Sequence, residues 1–289
     1  MRIMEFFLFS FLIFTINADQ GGRNIYRDKF SDLLLVINFN HPYYSNIQFL
    51  KDLYSPFFEH IVFYGEKPDP EVFDISTHHG FFLSDVLQDV LTRFPQYRGY
   101  FILQDDCVIN FWNYISLDPD KIWFAIKSNN YINRNDIFYS IINFDGTNVS
   151  GREKWWWSTL LNGHTMFEAV RSVYVNLLPI DLEFLQENIG KNNVAGQFCD
   201  FFYIPNRFRE SVLRLCPIFK NVFCEIAIPN MLCCLDKIGN WEHLKMCWGF
   251  NWRTLTKTNY PSQVSWVHPI KFSDQENRRI VTEVFARYG

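Results

Sequence analysis

The chain has 289 residues, 48% of them hydrophobic and 20% charged, which is the composition of a folded globular protein rather than a disordered one. That length holds one large α/β domain or two small ones, with roughly three quarters of the unfolded surface buried. The net charge of −4 and the absence of any lysine- or arginine-rich run exclude nucleic acid as a natural partner, because a phosphate backbone needs a basic face.

Met1-Arg2 give a short positive start, Phe6–Ile16 is apolar apart from Ser10 and Thr15, and Asn17-Ala18 offers a cleavage site. Residues 1–18 therefore read as a signal peptide or short signal anchor, too short for the roughly 20 residues that span a bilayer. Entry into the secretory pathway follows, to the Golgi lumen or beyond it, with membrane association confined to this segment. Residues 19–32 form a polar lead-in. Leu33–Phe39 is a continuous apolar run of the buried parallel-strand type, broken by Asn40-His41-Pro42. Asn46 is placed to cap a helix running through Leu53. Ile61–Tyr64 is a second strand, stopped by Gly65. Ser84 then caps a helix over Asp85–Phe94, which Pro95 ends. Gly99–Ile109, GYFILQDDCVI, is the third strand.

Strand, helix, strand, helix, strand is the signature of parallel βαβ units with helices on both faces. No glycine fingerprint follows the first strand, which argues against a Rossmann dinucleotide site and a P-loop. Farther on, Thr165–Leu178, Phe184–Ile189, Phe208–Leu215 and Ile280–Phe285 look helical, while Phe201–Ile204 and Val264–Val267 look like strands. No repeat or low-complexity tract divides the chain. Residues 33–289 thus read as one domain, with a nucleotide-binding half (33–150) and an aromatic-rich acceptor half (151–289). The 31 Phe, 14 Tyr and 9 Trp read first as a Phe-rich core. Seven cysteines stand at positions 107, 199, 216, 224, 233, 234 and 247. In an oxidising lumen they would pair and leave one over, with Cys107 the natural odd residue on its core strand. Their spacing does not suit structural zinc. Asn148-Val149-Ser150, in a turn-like segment, is an N-glycosylation acceptor.

The acidic pair Asp105-Asp106 at the end of the third strand carries the clearest chemistry. Ligands of α/β sheets collect outside the carboxyl ends of the strands. Carboxylates there suit Mg²⁺ or Mn²⁺ and the diphosphate such ions accompany. The plainer alternative is a pair that starts a turn or caps the next helix. Asn38, Asn40 and His41 end the first strand, where a base or ribose could rest; as turn residues they need no function.

From LLLVINFNHPYYSNIQFLKDLYSPFFEHIVFYG through GYFILQDDCVINFWN and KIW, the chain resembles the STELLO-type glycosyltransferase-like family of plants and nematodes. The landmarks keep their order over roughly residues 33–270: N-x-P, Y-S-N-I, Y-x-P-F-F, the acid pair, F-W-N, a Trp-rich segment and a late His-Pro. The resemblance implies a GT-A-like, Rossmann-type, mostly parallel sheet with flanking helices, continuous with the aromatic-rich acceptor half. It implies a metal-dependent transfer of a sugar from a nucleotide-sugar donor to a glycan, lipid or protein acceptor. Asp105, Asp106 and His268 would then hold Mn²⁺ or Mg²⁺, and Lys271, Asp105, Asn38 and Asn40 would meet the nucleotide. The tripeptide is Gln104-Asp105-Asp106, so the first acid of a strict Asp-x-Asp is absent.

An inverting transferase also needs a carboxylate to take the acceptor proton. Asp200 in CDFFYIP and Glu225 in CEIAIP are candidates, although either could instead pair with Arg207 or Arg214. Trp155–Trp157 could stack on sugar rings or serve as a hydrophobic wedge. The competing reading is a catalytically inactive, glycosyltransferase-like module that binds a glycan or protein. A divalent-ion phosphohydrolase ranks last, for want of a second acid cluster.

Overall fold

The computed structural model describes residues 25–125, 138, 140–143, 149–150, 160–161 and 164–288. The expected signal segment, Asn148 of the glycosylation triplet and Trp155–Trp157 lie outside the described residues. The first half runs through α1 (Ile25–Phe30), β1 (Leu33–Asn38), α2 (Ile47–Tyr54), β2 (His60–Gly65), β3 (Val72–Asp74) and α3 (Ser84–Arg93). It continues with β4 (Gly99–Gln104), β5 (Val108–Ile109) and β6 (Trp123–Ala125). Next come β7 (Ser140–Asn143), β8 (Val149–Ser150), β9 (Leu160–Leu161), β10 (His164–Thr165), α4 (Met166–Asn176), α5 (Pro179–Ile189) and β11 (Asn193–Gly196). The last part holds β12 (Phe201–Pro205), α6 (Arg209–Phe219), α7 (Cys224–Cys233), β13 (Glu242–Leu244), β14 (Met246–Trp248), β15 (Trp266–His268) and α8 (Gln275–Tyr288).

The central sheet has seven strands in the order β13-β6-β12-β4-β1-β2-β3. Its pairings are parallel except around β12, which runs antiparallel to both β4 and β6. It is the mixed α/β, mostly parallel sheet with flanking helices expected of a GT-A-like fold. Two strands from beyond residue 150, β12 and β13, complete a sheet begun by the first half.

Period-two alternation of the strands makes two cores. Leu34, Val36, Tyr100, Ile102, Phe202 and Ile204 face one side, where α3 packs against α6. Leu33, Leu35, Ile37, Phe101, Leu103, Phe201 and Tyr203 face the other, where α2 meets α8. Every residue of β1 and of β4 is buried, as strands covered on both faces require. The aromatic excess fills these cores: Phe101 contacts Phe30, Phe58, Tyr114, Trp123, Phe201 and Tyr203.

Within the polar lead-in α1 forms, and its fully buried Phe30 stacks on Phe58 with ring centroids 4.9 Å apart. Three local expectations are corrected. Ser84 lies inside α3, and its buried hydroxyl has no partner, so it caps nothing. Asn46 makes no cap bond either, because its Oδ1 accepts from Arg278 of α8 at 2.6 Å. The third strand is two strands: the β1 ladder stops at Gln104, Cys107 N turns back onto Gln104 O, and β5 joins β15 in a second sheet. The cysteines also depart from expectation. All seven are free thiols, six of them buried, and they fill the cores as small apolar side chains.

Candidate functional site

Three chain segments converge at the carboxyl edge of the sheet, and the topology explains each. β4 delivers Asp105 and Asp106 just past its end, where Asp105 N donates to Asn38 O of β1 at 3.0 Å. Because β12 is antiparallel to β4, the residue before β12 arrives at this same edge. Gln104 N donates to Asp200 O at 2.9 Å and fixes it there. β15 pairs antiparallel with β5, Val267 opposite Val108, so His268 comes round beside Asp106. Ile270 N donates to Asp106 O at 2.7 Å and closes this return.

The side chains then meet. His268 Nε2 lies 3.1 Å from Asp106 Oδ1 and 3.5 Å from Asp200 Oδ1, and Lys271 Nζ donates to Asp106 Oδ2 at 2.5 Å. Asp105 Oδ1 accepts from Asn40 N at 3.2 Å. Burial disfavours the charged form of Asp105, and the charge of Asp106 adds to this, so its carboxyl titrates well above the usual range. Burial would push Asp106 up as well, but His268 and Lys271 outweigh it and hold this carboxyl low. Asp200 is raised by burial, partly offset by His268. Burial alone would lower His268; the carboxylates of Asp200 and Asp106 prevail and lift it to about 9.

Beside this cluster opens a cavity of about 510 Å³, within the range of small-molecule sites. Its lining combines Asp105, Asp106 and Lys271 with Asn40 and the rings of His41, Tyr43, His79 and Phe81. Among the described residues no helix is long and apolar enough to cross a membrane.

The candidates from sequence thus divide. Asp105, Asp106, Asp200, His268 and Lys271 come together; of these Asp105, Asp106 and Lys271 line the cavity, as Asn40 does, whereas Asp200 and His268 stand behind Asp106. Asn38 is fully buried beneath the site and donates from Nδ2 to Gln104 Oε1 at 3.0 Å, away from the cavity lining. Glu225 sits in the first turn of α7, where its carbonyl accepts from Gln197 N, and it does not line the cavity. The arginine partners proposed for the two acids are taken elsewhere, Arg207 by Asp236 and Arg214 by Asp181. Sequence reasoning missed Tyr43, His79 and Phe81, of which Tyr43 directly follows the Asn40-His41-Pro42 break after β1.

Asp105, Asp106 and Asp200 are the carboxylates here that could hold a divalent ion. Asp106 Oδ1, Asp200 Oδ2 and His268 Nδ1 are buried polar atoms that lack an aligned hydrogen-bond partner. Unsatisfied carboxylate oxygens in a buried site invite a cation. Among the described residues no trio of such side chains already stands at metal-ligating geometry, because His268 and Lys271 hold the acids as ion pairs.

The mixed α/β, mostly parallel sheet is consistent with a glycosyltransferase-like fold, and relatives by sequence bear that class out. Two curated proteins of Arabidopsis thaliana, Probable glycosyltransferase STELLO1 and Probable glycosyltransferase STELLO2, match it at 19% identity over 277 and 275 residues. Each match covers 91% of this chain and 33% of the relative, so the chain spans about a third of their length. No protein-family model matches. The chain is a distant relative of the STELLO-type proteins.

Proposed function

We propose that the cavity binds a nucleotide-sugar donor and that the chain transfers its sugar to an acceptor in the secretory pathway. The observation that supports this most is the convergence of Asp105, Asp106, Asp200, His268 and Lys271 from three segments beside one cavity. Asp105, Asp106 and His268 would hold Mn²⁺ or Mg²⁺, which when bound supplies positive charge to a departing diphosphate. Lys271, two-fifths exposed at the cavity edge, is placed to meet a phosphate oxygen. Asp200 is the better-placed carboxylate for taking a proton from an acceptor hydroxyl, since it joins the cluster through His268 at 3.5 Å and burial raises its pKa. Glu225 stands away from the cavity lining and serves this role less well.

A thermal-shift panel of UDP- and GDP-sugars, each with Mn²⁺ or EDTA, tests the reading. A melting-point rise that needs both metal and nucleotide supports it. The inactive-module reading has one observation in its favour: Asp106 is already neutralised by Lys271 and His268 without an ion. A panel with no shift for any nucleotide, on folded protein, would favour that module instead.

A further inference from the structure

The loop between β3 and α3 is strained on the cavity's aromatic side. His78, His79 and Gly80 are consecutive residues in the left-handed region, with φ of 49°, 61° and 82°. Only Gly80 is at ease there, since a left-handed turn crowds the Cβ of the two histidines. Such strain persists only where the surroundings impose it, and it clusters at binding sites. Here Glu66, just past β2, imposes it. Its Oε1 accepts from His79 N at 2.6 Å, from Thr77 N at 3.1 Å and from Thr77 Oγ1 at 3.4 Å. Thr77 Oγ1 in turn accepts from Gly80 N at 3.0 Å. A Cβ on Gly80 would overlap the Asn40 amide, so the arch lies directly on the residue whose N–H holds Asp105.

The arch leaves the His79 ring exposed, with its centroid 5.0 Å from that of His41. Tyr43 stands edge-on to His41 at 5.7 Å and is 53% exposed. Among the described residues most large aromatic side chains are buried; these rings are uncovered and line one cavity with Asp105, Asp106 and Lys271, aromatic and charged groups each forming part of its lining. A planar aromatic ligand joined to a charged group fits that division, and π-faces stack on such rings without regard to base identity.

We propose that Glu66 is a positioning residue: it holds the left-handed His78–Gly80 arch so that His79 and His41 form the wall on which the base of a nucleoside diphosphate stacks. The inference rests on the nucleotide reading above and assigns the base to a particular wall. Calorimetric titration of the whole protein with UDP, GDP and inorganic pyrophosphate, all with Mn²⁺, tests it. His79→Ala and Glu66→Ala should weaken UDP or GDP about 5- to 100-fold, the loss expected for one stacked base. Pyrophosphate affinity should stay within about twofold of wild type, since it has no base to stack. Glu66→Gln, which keeps the accepting Oε1, should recover most of the nucleotide affinity. Unchanged nucleotide binding in His79→Ala overturns the proposal, and so does an equal loss of pyrophosphate. Should Glu66→Ala fail to fold, the exposed His79 side chain still decides the question. Wild-type protein that binds pyrophosphate but no nucleotide better overturns the base wall alone. Failure to bind either ligand overturns the nucleotide reading with it.

Discussion

The two edges of the central sheet carry similar residue types to opposite ends. At the amino edge, Arg98 donates to Asp120 at 2.9 Å and lies 4.0 Å from Asp32, and Arg207 reaches Asp236 at 2.8 Å. Apart from Asp236 these groups are exposed, and each of these three acids lies within ion-pair reach of a guanidinium, Asp32 and Asp120 sharing Arg98. At the carboxyl edge, three carboxylates share one imidazole and one ammonium, the acids are 14% exposed or less, and buried oxygens stay without aligned partners. Paired charges in water contribute little to stability and need no further purpose. Crowded acids out of water are costly and persist where a ligand completes them. The difference between the edges therefore lies in imbalance and burial, not in the number of charges.

The sharpest break in that comparison is Asp106→Asn, which removes the charge His268 and Lys271 share. Metal-dependent nucleotide affinity should fall by at least about 100-fold, beyond the usual cost of losing a mere ligand neighbour, as read by titration with Mn²⁺. His268→Gln should cost roughly 10- to 100-fold in Mn²⁺ affinity. An unaltered affinity would return His268 to a structural role.

The same histidine predicts a pH effect on the metal-free protein. Its folded pKa, about 9, stands above the unfolded value, so its stabilising contribution is complete below pH 6.5 and is lost as pH rises through about 9. Urea unfolding of wild type and His268→Gln should differ at pH 6, by a ceiling of roughly 3 kcal/mol, and converge by about pH 10. A gap that persists at high pH would contradict the ion pairs. The smallest effect belongs to the other edge: Asp120→Ala should cost under about 1 kcal/mol and leave nucleotide binding untouched. A large loss of binding there would dissolve the contrast between the edges.

Parts of this arrangement were legible in the sequence for physical reasons. Leu33–Phe39 and Tyr100–Leu103 are apolar on both faces, as strands covered on both sides are, and the acids after Gln104 had to lie at its carboxyl end. The meeting of Asp200 with His268 was not legible. It depends on β12 running antiparallel to β4 and on β15 returning along β5, and strand direction leaves no trace in local composition. The caps failed for a related reason. Asn46 and Ser84 have the right side chains, but α8 claims one with Arg278 and the core buries the other. An oxidising compartment suggested that the cysteines pair, whereas all seven stand as free thiols, five of them within one core. Glu66 and its arch were invisible because His78 and His79 adopt left-handed backbone that their residue type does not favour.

We propose that the carboxyl-edge cluster is a nucleotide site completed by a metal ion. Calorimetric titration of the wild-type protein with UDP and GDP, in Mn²⁺ and then in EDTA, tests it most directly. The account predicts saturable binding of one nucleotide in Mn²⁺ that disappears in EDTA. Folded protein that binds neither nucleotide, or binds one equally well without metal, would contradict it.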